Sequence, residues 1–299
     1  MGPVDRQIAS PQATTVKSTL APGLYLVATP IGNLEDITLR ALRVLKEADI
    51  IACEDTRHTQ KLLNHYGIAA RTTSYHEHNE MTRAPELVVE LEQGARVALV
   101  TDAGMPSISD PGFRLISLAI RHHLPVVPVP GASAFLSALV ASGLPTDAFR
   151  FGGFLPPKTG QRRQLLESIR ESTRTQVFYE APHRVKQALA DIVEVLGKDR
   201  HVVVAREVTK LHEEFLRGRA NEVLDILKER GEIKGEITLL IGKAEGTDAK
   251  PAAQGMSLRE RQQAIVSQGE LNERAVLKKL AKELGVSKSE AYRRLQRSK

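Results

Sequence analysis

The sequence predicts an α/β protein of two domains with a ligand cleft between them, followed by a small helical module at the C-terminal end. Three observations carry that expectation. Apolar strands run repeatedly into loops stiffened by proline and opened by glycine. Strand patterns alternate with amphipathic helical patterns through residue 242. A stretch of small and polar residues then separates this body from a strongly basic tail.

Residues 1–22 lack the apolar run of a signal peptide and are rich in Ser, Thr, Pro and Ala, so they read as a disordered leader. The first α/β domain is expected over 23–128. It opens with Leu24-Tyr-Leu-Val-Ala-Thr-Pro-Ile-Gly-Asn33, an apolar strand entering a Pro/Gly loop. A helix over Ile37–Glu47 places Leu39, Leu42, Val44 and Leu45 near one face. A strand over Asp49–Cys53 and helices over Arg57–Tyr66 and Ala84–Gln93 follow. Next comes the most informative stretch, Val97-Ala-Leu-Val-Thr-Asp-Ala-Gly-Met-Pro-Ser-Ile-Ser-Asp-Pro-Gly112. Its strand, Val97–Thr101, and the opening strand are expected to be neighbours in a mostly parallel sheet. Ligands of such sheets lie across the carboxyl ends of the strands, where Gly, Pro and Asp hold backbone N–H and C=O groups at fixed angles. A plain strand-to-helix turn uses the same residue types. What favours a ligand is company, since Val126-Val-Pro-Val-Pro-Gly-Ala-Ser-Ala134 is a third such loop. None of the three reads G-x-G-x-x-G, which disfavours a phosphate-centred dinucleotide.

The second α/β domain is expected over 129–242. A small-residue helix, Ala134–Ser142, leads to Phe151-Gly-Gly-Phe154. Strands over Gln176–Glu180, His201–Val208 and Gly235–Ile241 alternate with helices over Gln161–Ser172, Arg184–Leu196 and Glu222–Lys228, with antiparallel pairing expected. Residues 243–255 read as a flexible linker. Over 256–299 a helix at Met256–Gln268, a helix stopped by Gly285, an N-cap at Ser287 and a last helix presenting Tyr292 and Leu295 suggest a helix-turn-helix-like module. A packing or dimerisation appendage is the alternative.

Charge and cysteine usage narrow the function. Residues 249–299 hold 12 Lys/Arg against 5 Asp/Glu, a net of +7, while the preceding 248 residues net −1. The basicity therefore belongs to the tail and points to a polyanionic partner. The single cysteine, Cys53, rules out an intramolecular disulfide and a cysteine-built zinc site, and fits a reducing compartment. No apolar run reaches the roughly 18 residues needed to span a bilayer. Aromatic residues make up 4% with no tryptophan, so extensive base stacking is not expected.

The loop pair Thr29-Pro-Ile-Gly-Asn33 and Asp102-Ala-Gly-Met-Pro106, together with Val129-Pro-Gly-Ala-Ser133, resembles the S-adenosylmethionine cradle of the tetrapyrrole methylase superfamily. Four more segments narrow the resemblance: Cys53-Glu-Asp-Thr-Arg-His-Thr59, Ser74-Tyr-His-Glu-His-Asn-Glu80, Tyr179-Glu-Ala-Pro-His-Arg184 and Ala205-Arg-Glu-Val-Thr-Lys-Leu-His-Glu-Glu214. They are similar to the branch that methylates the ribose 2′-hydroxyl of a cytidine in the decoding region of small-subunit (16S) rRNA. The resemblance implies a two-domain tetrapyrrole-methylase-like fold with the cofactor cleft between domains, a homodimer, the small ribosomal subunit as partner and a cytoplasmic location. For the cofactor it implies Pro30, Ile31, Gly32, Asp102, Gly104, Ser107, Ile108, Ser133, Ala134, Tyr179 and Thr238. Asp102 would accept from ribose hydroxyls or the ammonium, or else cap its own loop.

A ribose hydroxyl is a poor nucleophile at neutral pH, so the acceptor side needs in-line positioning, a group to take the proton, or both. Candidates from the family-like segments are Glu54, Asp55, His76, Glu77, Glu180 and Lys210. His76-Glu-His78 has no convincing third ligand, and a metal-free site is expected. For RNA phosphates the candidates are Lys158, Arg162 and Arg163, which follow Pro156-Pro157 into a helix, together with Arg57, Arg184 and Lys210. A small-molecule methyltransferase of the tetrapyrrole type and a non-enzymatic nucleic-acid-binding regulator are the alternative readings.

Overall fold

A computed structural model describes residues 20–244, 276–278, 280–281 and 287–297. The expected leader over 1–19, most of the linker and the helix at Met256–Gln268 lie outside the described residues, as does the stop at Gly285. The chain divides into two compact units, 1–244 and 245–299.

The larger unit holds two five-stranded sheets among the described residues. The first alternates strand and helix: β1 (Gly23–Val27), α1 (Leu39–Glu47), β2 (Ile50–Cys53), α2 (Thr56–His65), β3 (Thr72–Ser74), α3 (Glu80–Glu92), β4 (Arg96–Leu99), α4 (Phe113–Arg121) and β5 (Val126–Val129). Its order is β3-β2-β4-β1-β5 and every pairing is parallel, with Leu24 opposite both Val97 and Val126. Successive side chains of a strand point to opposite faces, and each face here has its own core. Leu24, Ile50, Ala52, Val97 and Leu99 meet α3 and α4 on one side. Tyr25, Val27, Ile51, Cys53 and Ala98 meet α1 and α2 on the other. Burial on both faces is why these strands read as unbroken apolar runs.

The second sheet is built from β6 (Phe149–Phe154), β7 (Thr175–Glu180), β8 (His201–Arg206), β9 (Glu214–Arg219) and β10 (Ile237–Ile241). Its order is β6-β7-β10-β8-β9. Only the β6–β7 pair is parallel, and β7, β10, β8 and β9 pair antiparallel in turn. One face packs on α6 (Thr159–Ser168), α7 (Val185–Leu196) and α8 (Ala220–Glu229). The other face packs on α5 (Ala134–Ser142) and also on Ile31, which reaches across from the loop after β1. That contact ties the two sheets together where their loops meet.

Several elements differ from the expectation. Thr72–Ser74 and Glu214–Arg219 form strands that carry little apolar signal. The first has only three residues, and the second is an edge strand whose Glu214 pairs with Arg206 and Arg230. α3 starts one turn before Ala84 because Asn79 organises its entrance, accepting from the His76 N–H and donating to the Ser74 carbonyl. Pro85 sits inside this helix.

In the smaller unit, 276–278 and 280–281 are helical and α9 spans Lys288–Arg297. Ser287 caps α9, accepting from the Glu290 N–H at 3.3 Å, and Leu295 packs on Val276 and Leu280. Tyr292 is exposed.

Candidate active site

The loops after β1 and β4 are joined by a two-residue bridge at the carboxyl edge of the parallel sheet. Thr29 N–H donates to the Gly104 carbonyl at 2.9 Å, and Gly104 N–H donates back at 3.1 Å. The buried Thr29 hydroxyl adds a bond to the Thr101 carbonyl at 3.0 Å. Gly104 holds φ +88°, a left-handed backbone that favours glycine. Ser107 and Ser109 hold φ 71° and 63° without that freedom, so the loop stores strain beside the site.

The bridge is a wall between two cavities. On one side Ile31, Ala103 and Gly104 face a cavity of about 410 Å³ between the sheets. On the other side Pro30, Gly32 and Asp102 face a cavity of about 270 Å³ closed by the first turns of α2. Alternate residues of the same two loops thus serve opposite sides.

The larger cavity takes most of the residues expected for the cofactor. Ile31, Gly104 and Ile108 come from the parallel half. Ser133, Ala134, Tyr179 and Thr238 come from α5, β7 and β10. Tyr179 is fixed edge-on against Phe151 and Phe154, at ring-centroid distances of 5.1 and 5.5 Å. Ser133 makes no capping bond to α5, whose N-terminus opens on the cavity. Pro30, Gly32 and Asp102 fall in the smaller cavity, and Ser107 lines neither, turning the loop behind them.

Among the described residues, the larger cavity is lined by three carboxylates, Asp110, Glu180 and Glu236, and by no lysine or arginine. Burial pushes the Asp110 carboxyl up to about 6. The nearby Glu54 and Asp102 charges push the same way, against a hydrogen bond from Thr101. Glu180 is 2% exposed, and its Oε1 accepts from the Ala181 N–H at 2.7 Å and forms an ion pair with Arg184 Nη2 at 2.8 Å. Its Oε2 and the Arg184 Nε are buried without a partner. A bare buried carboxylate oxygen is costly unless a ligand supplies a donor.

The acceptor candidates do not converge. Glu54 lies beneath Thr101, whose hydroxyl is 3.4 Å from Glu54 Oε2, and lines neither cavity. Asp55 caps α2 and is held far below the usual carboxylate range by the Arg57 side chain and N–H, a poor setting for a base. His76 and Glu77 sit in the turn before α3, outside both cavities. Glu180 belongs to the larger cavity, and Lys210 stands at its rim on Glu236.

One of the expected RNA contacts, Arg162, needs correction. Arg162 is 1% exposed and is held by Asp191 at 2.7 Å and by the Pro156 and Pro157 carbonyls, so its guanidinium faces no solvent. Arg163 is bound to Asp191 and Glu194, and Arg184 to Glu180. Lys158 is exposed at the start of α6, and Arg57 is 88% exposed although chelated by Asp55. His58 and Lys61, on the first turns of α2, line the smaller cavity and were not singled out in the sequence. Neither were Asp110 and Glu236, although Asp110 stands in the loop that drew most attention.

Residues 23–224 match the family described as Tetrapyrrole (Corrin/Porphyrin) Methylases. The chain belongs to that family. Among its relatives is ribosomal RNA small subunit methyltransferase I of Halalkalibacterium halodurans, 48% identical over 90% of this chain and 93% of that protein. The protein of the same description from Mesorhizobium japonicum is 52% identical over 78% of this chain and 79% of its own. In fold the chain is similar to uroporphyrin-III-C-methyltransferase from Thermus thermophilus, with a TM-score of 0.53, 19% identity, and coverage of 74% of this chain and 94% of that one. It is also similar to a diphthine synthase, with a TM-score of 0.56, 16% identity, and coverage of 73% and 89%.

Membership implies S-adenosylmethionine, which brings a sulfonium, an ammonium, one carboxylate and an adenosine. The larger cavity fits those groups. It has carboxylates and no basic side chain for the cations, the start of α5 for the carboxylate, and aromatic and aliphatic walls for the ring.

Proposed function

We propose that this chain is an S-adenosylmethionine-dependent methyltransferase that methylates the ribose 2′-hydroxyl of a cytidine in the decoding region of 16S rRNA. The observation that carries it is the common wall: an acid-lined cavity suited to a cationic donor lies one loop's thickness from a smaller cavity with His58 and Lys61 in its lining. The 48% identity to an rRNA methyltransferase over most of both chains supports the same reading.

When bound, the donor supplies an electrophilic methyl group on its sulfonium. The chain's part is to hold and orient. Glu180, Asp110 and Glu236 balance the donor's charge from the lining of the larger cavity. Asp102, fixed by the Asp55 N–H at 3.3 Å, is the one carboxylate lining the smaller cavity among the described residues, and it accepts the proton or hydrogen bond of a ribose hydroxyl there. Such a group is worth roughly a hundred- to ten-thousandfold in rate. Lys61, His58 and Arg57 meet the flanking phosphates, and the +7 tail adds further phosphate contacts. The His58 and Lys61 side chains in the lining of the smaller cavity support a nucleotide acceptor over the tetrapyrrole alternative. The partner is the small ribosomal subunit in the cytoplasm, and the protein acts as a homodimer.

Nucleoside mass spectrometry of 16S rRNA from a deletion strain should lose one 2′-O-methylcytidine, restored by the wild-type chain and not by Asp102→Ala. Alkaline cleavage should skip that linkage only in the complemented strain. A methylated base at a normally cleavable linkage would defeat the assignment.

A further inference from the structure

Lys210 lies between the two cavities. Its aliphatic stem covers Gly32, in the wall of the smaller cavity, so closely that a Cβ there would overlap it. Its ammonium bonds Glu207 at 2.9 Å and Glu236 at 3.2 Å, and Glu236 lines the larger cavity. The two carboxylates are not equivalent. Glu207 is fixed, since its Oε1 also accepts from the Glu236 N–H at 2.8 Å and its side chain occupies the space a Cβ at Gly235 would fill. The Glu236 side chain is 74% exposed and free to change partner. The supporting loop is strained, with Glu207 at φ 53° and Thr209 at φ 69°, and the Thr209 hydroxyl is buried without a partner. A short segment under such strain is suited to more than one arrangement.

We propose that Lys210 is a positioning residue that couples the two cavities: it neutralises Glu236 while the donor's cation is absent, and is freed toward the polyanionic acceptor when a cationic donor takes its place. The logic is competition between two cations for one carboxylate, followed by reuse of the displaced charge. Coupling of this kind is reciprocal, so donor and acceptor each tighten the other's binding through the same residue. The identity of the acceptor rests on the rRNA reading above, while the donor half stands without it.

The test uses the full chain and its Lys210→Met and Glu236→Gln variants, with calorimetry for S-adenosylmethionine and for S-adenosylhomocysteine, which lacks the sulfonium. Lys210→Met should tighten S-adenosylmethionine by about two- to fivefold, the scale of a partly exposed pair, and S-adenosylhomocysteine less. Glu236→Gln should weaken S-adenosylmethionine more than S-adenosylhomocysteine. Binding to small ribosomal subunits is then measured with and without sinefungin, whose amine stands in for the methyl sulfonium. Sinefungin should tighten the wild type several-fold, leave Lys210→Met unchanged, and tighten Lys210→Arg again. A Lys210→Met protein that binds both donor ligands more weakly, or that keeps the sinefungin effect, overturns the proposal. If the wild type does not bind subunits at all, the rRNA reading fails, and the donor measurements still decide the competition.

Discussion

Two arginine–carboxylate pairs in the second half of the body end up with opposite characters. Between α6 and α7, Arg162 gives Nε to Asp191 and its other nitrogens to the Pro156 and Pro157 carbonyls and Thr159, while the second Asp191 oxygen takes Arg163 and Gln187. At the end of β7, Glu180 and Arg184 also pair, yet Glu180 Oε2 and Arg184 Nε remain bare. The first network is closed and the second open. A closed network specifies packing, and removing one partner leaves a buried charge. An open one keeps a buried polar atom uncompensated, here on a residue that lines the larger cavity.

The largest effect should come from breaking the closed network. Asp191→Ala strands the Arg162 guanidinium and should cost about 3–5 kcal/mol of stability, read as a fall in the denaturant midpoint at unchanged slope. Whatever fraction remains folded should bind S-adenosylmethionine normally. Glu180→Gln should do the reverse, weakening S-adenosylmethionine by roughly ten- to a hundredfold, the worth of a charged hydrogen bond, with a smaller change in melting temperature. If Glu180→Gln destabilises as Asp191→Ala does while donor affinity is kept, the contrast between the networks is wrong.

Asp110 sharpens the same contrast through pH. Its carboxyl, raised to about 6 by burial first and by Glu54 and Asp102 next, is ionised above that value and protonated below it. A cationic donor favours the ionised form. Affinity should therefore fall as pH drops through about 6, by roughly tenfold per unit at most, with proton release on binding near that pH. Asp110→Asn should flatten the profile. For stability the sign is opposite: a carboxyl raised in the folded state contributes less as pH rises from about 4 to 6, so Asp110→Asn should be slightly more stable than wild type at neutral pH. A calorimetric pH series on both proteins, with thermal melts alongside, checks both directions. The smallest effect on the body belongs to the tail. A chain ending at Glu245 should fold and bind S-adenosylmethionine as before, but show a flatter salt dependence of RNA binding, by about 0.7–0.9 in log–log slope per lost phosphate contact. Identical slopes would remove the tail from RNA recognition.

The apolar runs of β1 and β4 and the Pro/Gly loops after β1, β4 and β5 could be read directly, because double burial and turn chemistry each leave a local signature in residue type. The three-residue β3 and the charged edge strand β9 could not, since neither buries a periodic face. At the site, the residues assigned by family likeness come from the loops of the parallel sheet and from α5, β7 and β10, and most share one cavity. Asp110 and Glu236 escaped notice because an acid in a loop looks the same whether it faces water or a cavity. Arg162 and Arg163 looked like cations for RNA because their partner Asp191 stands 29 and 28 residues away, whereas the Glu180–Arg184 pair, four residues apart, was open to a local reading.

What the sequence by itself determined is the alternation of strands and helices, the three Pro/Gly loops that line one cavity, and the segregation of positive charge into the tail. Each depends on residue type and short-range spacing alone. The tertiary structure decided the rest: that one pair of loops serves two cavities from its two sides, that the acids gather around the larger one, and that one arginine–carboxylate pair is closed while another is open. Those outcomes depend on which polar atoms find partners across long sequence separations. Only the packing of α6 on α7, and of Ile31 against the second sheet, settles that question.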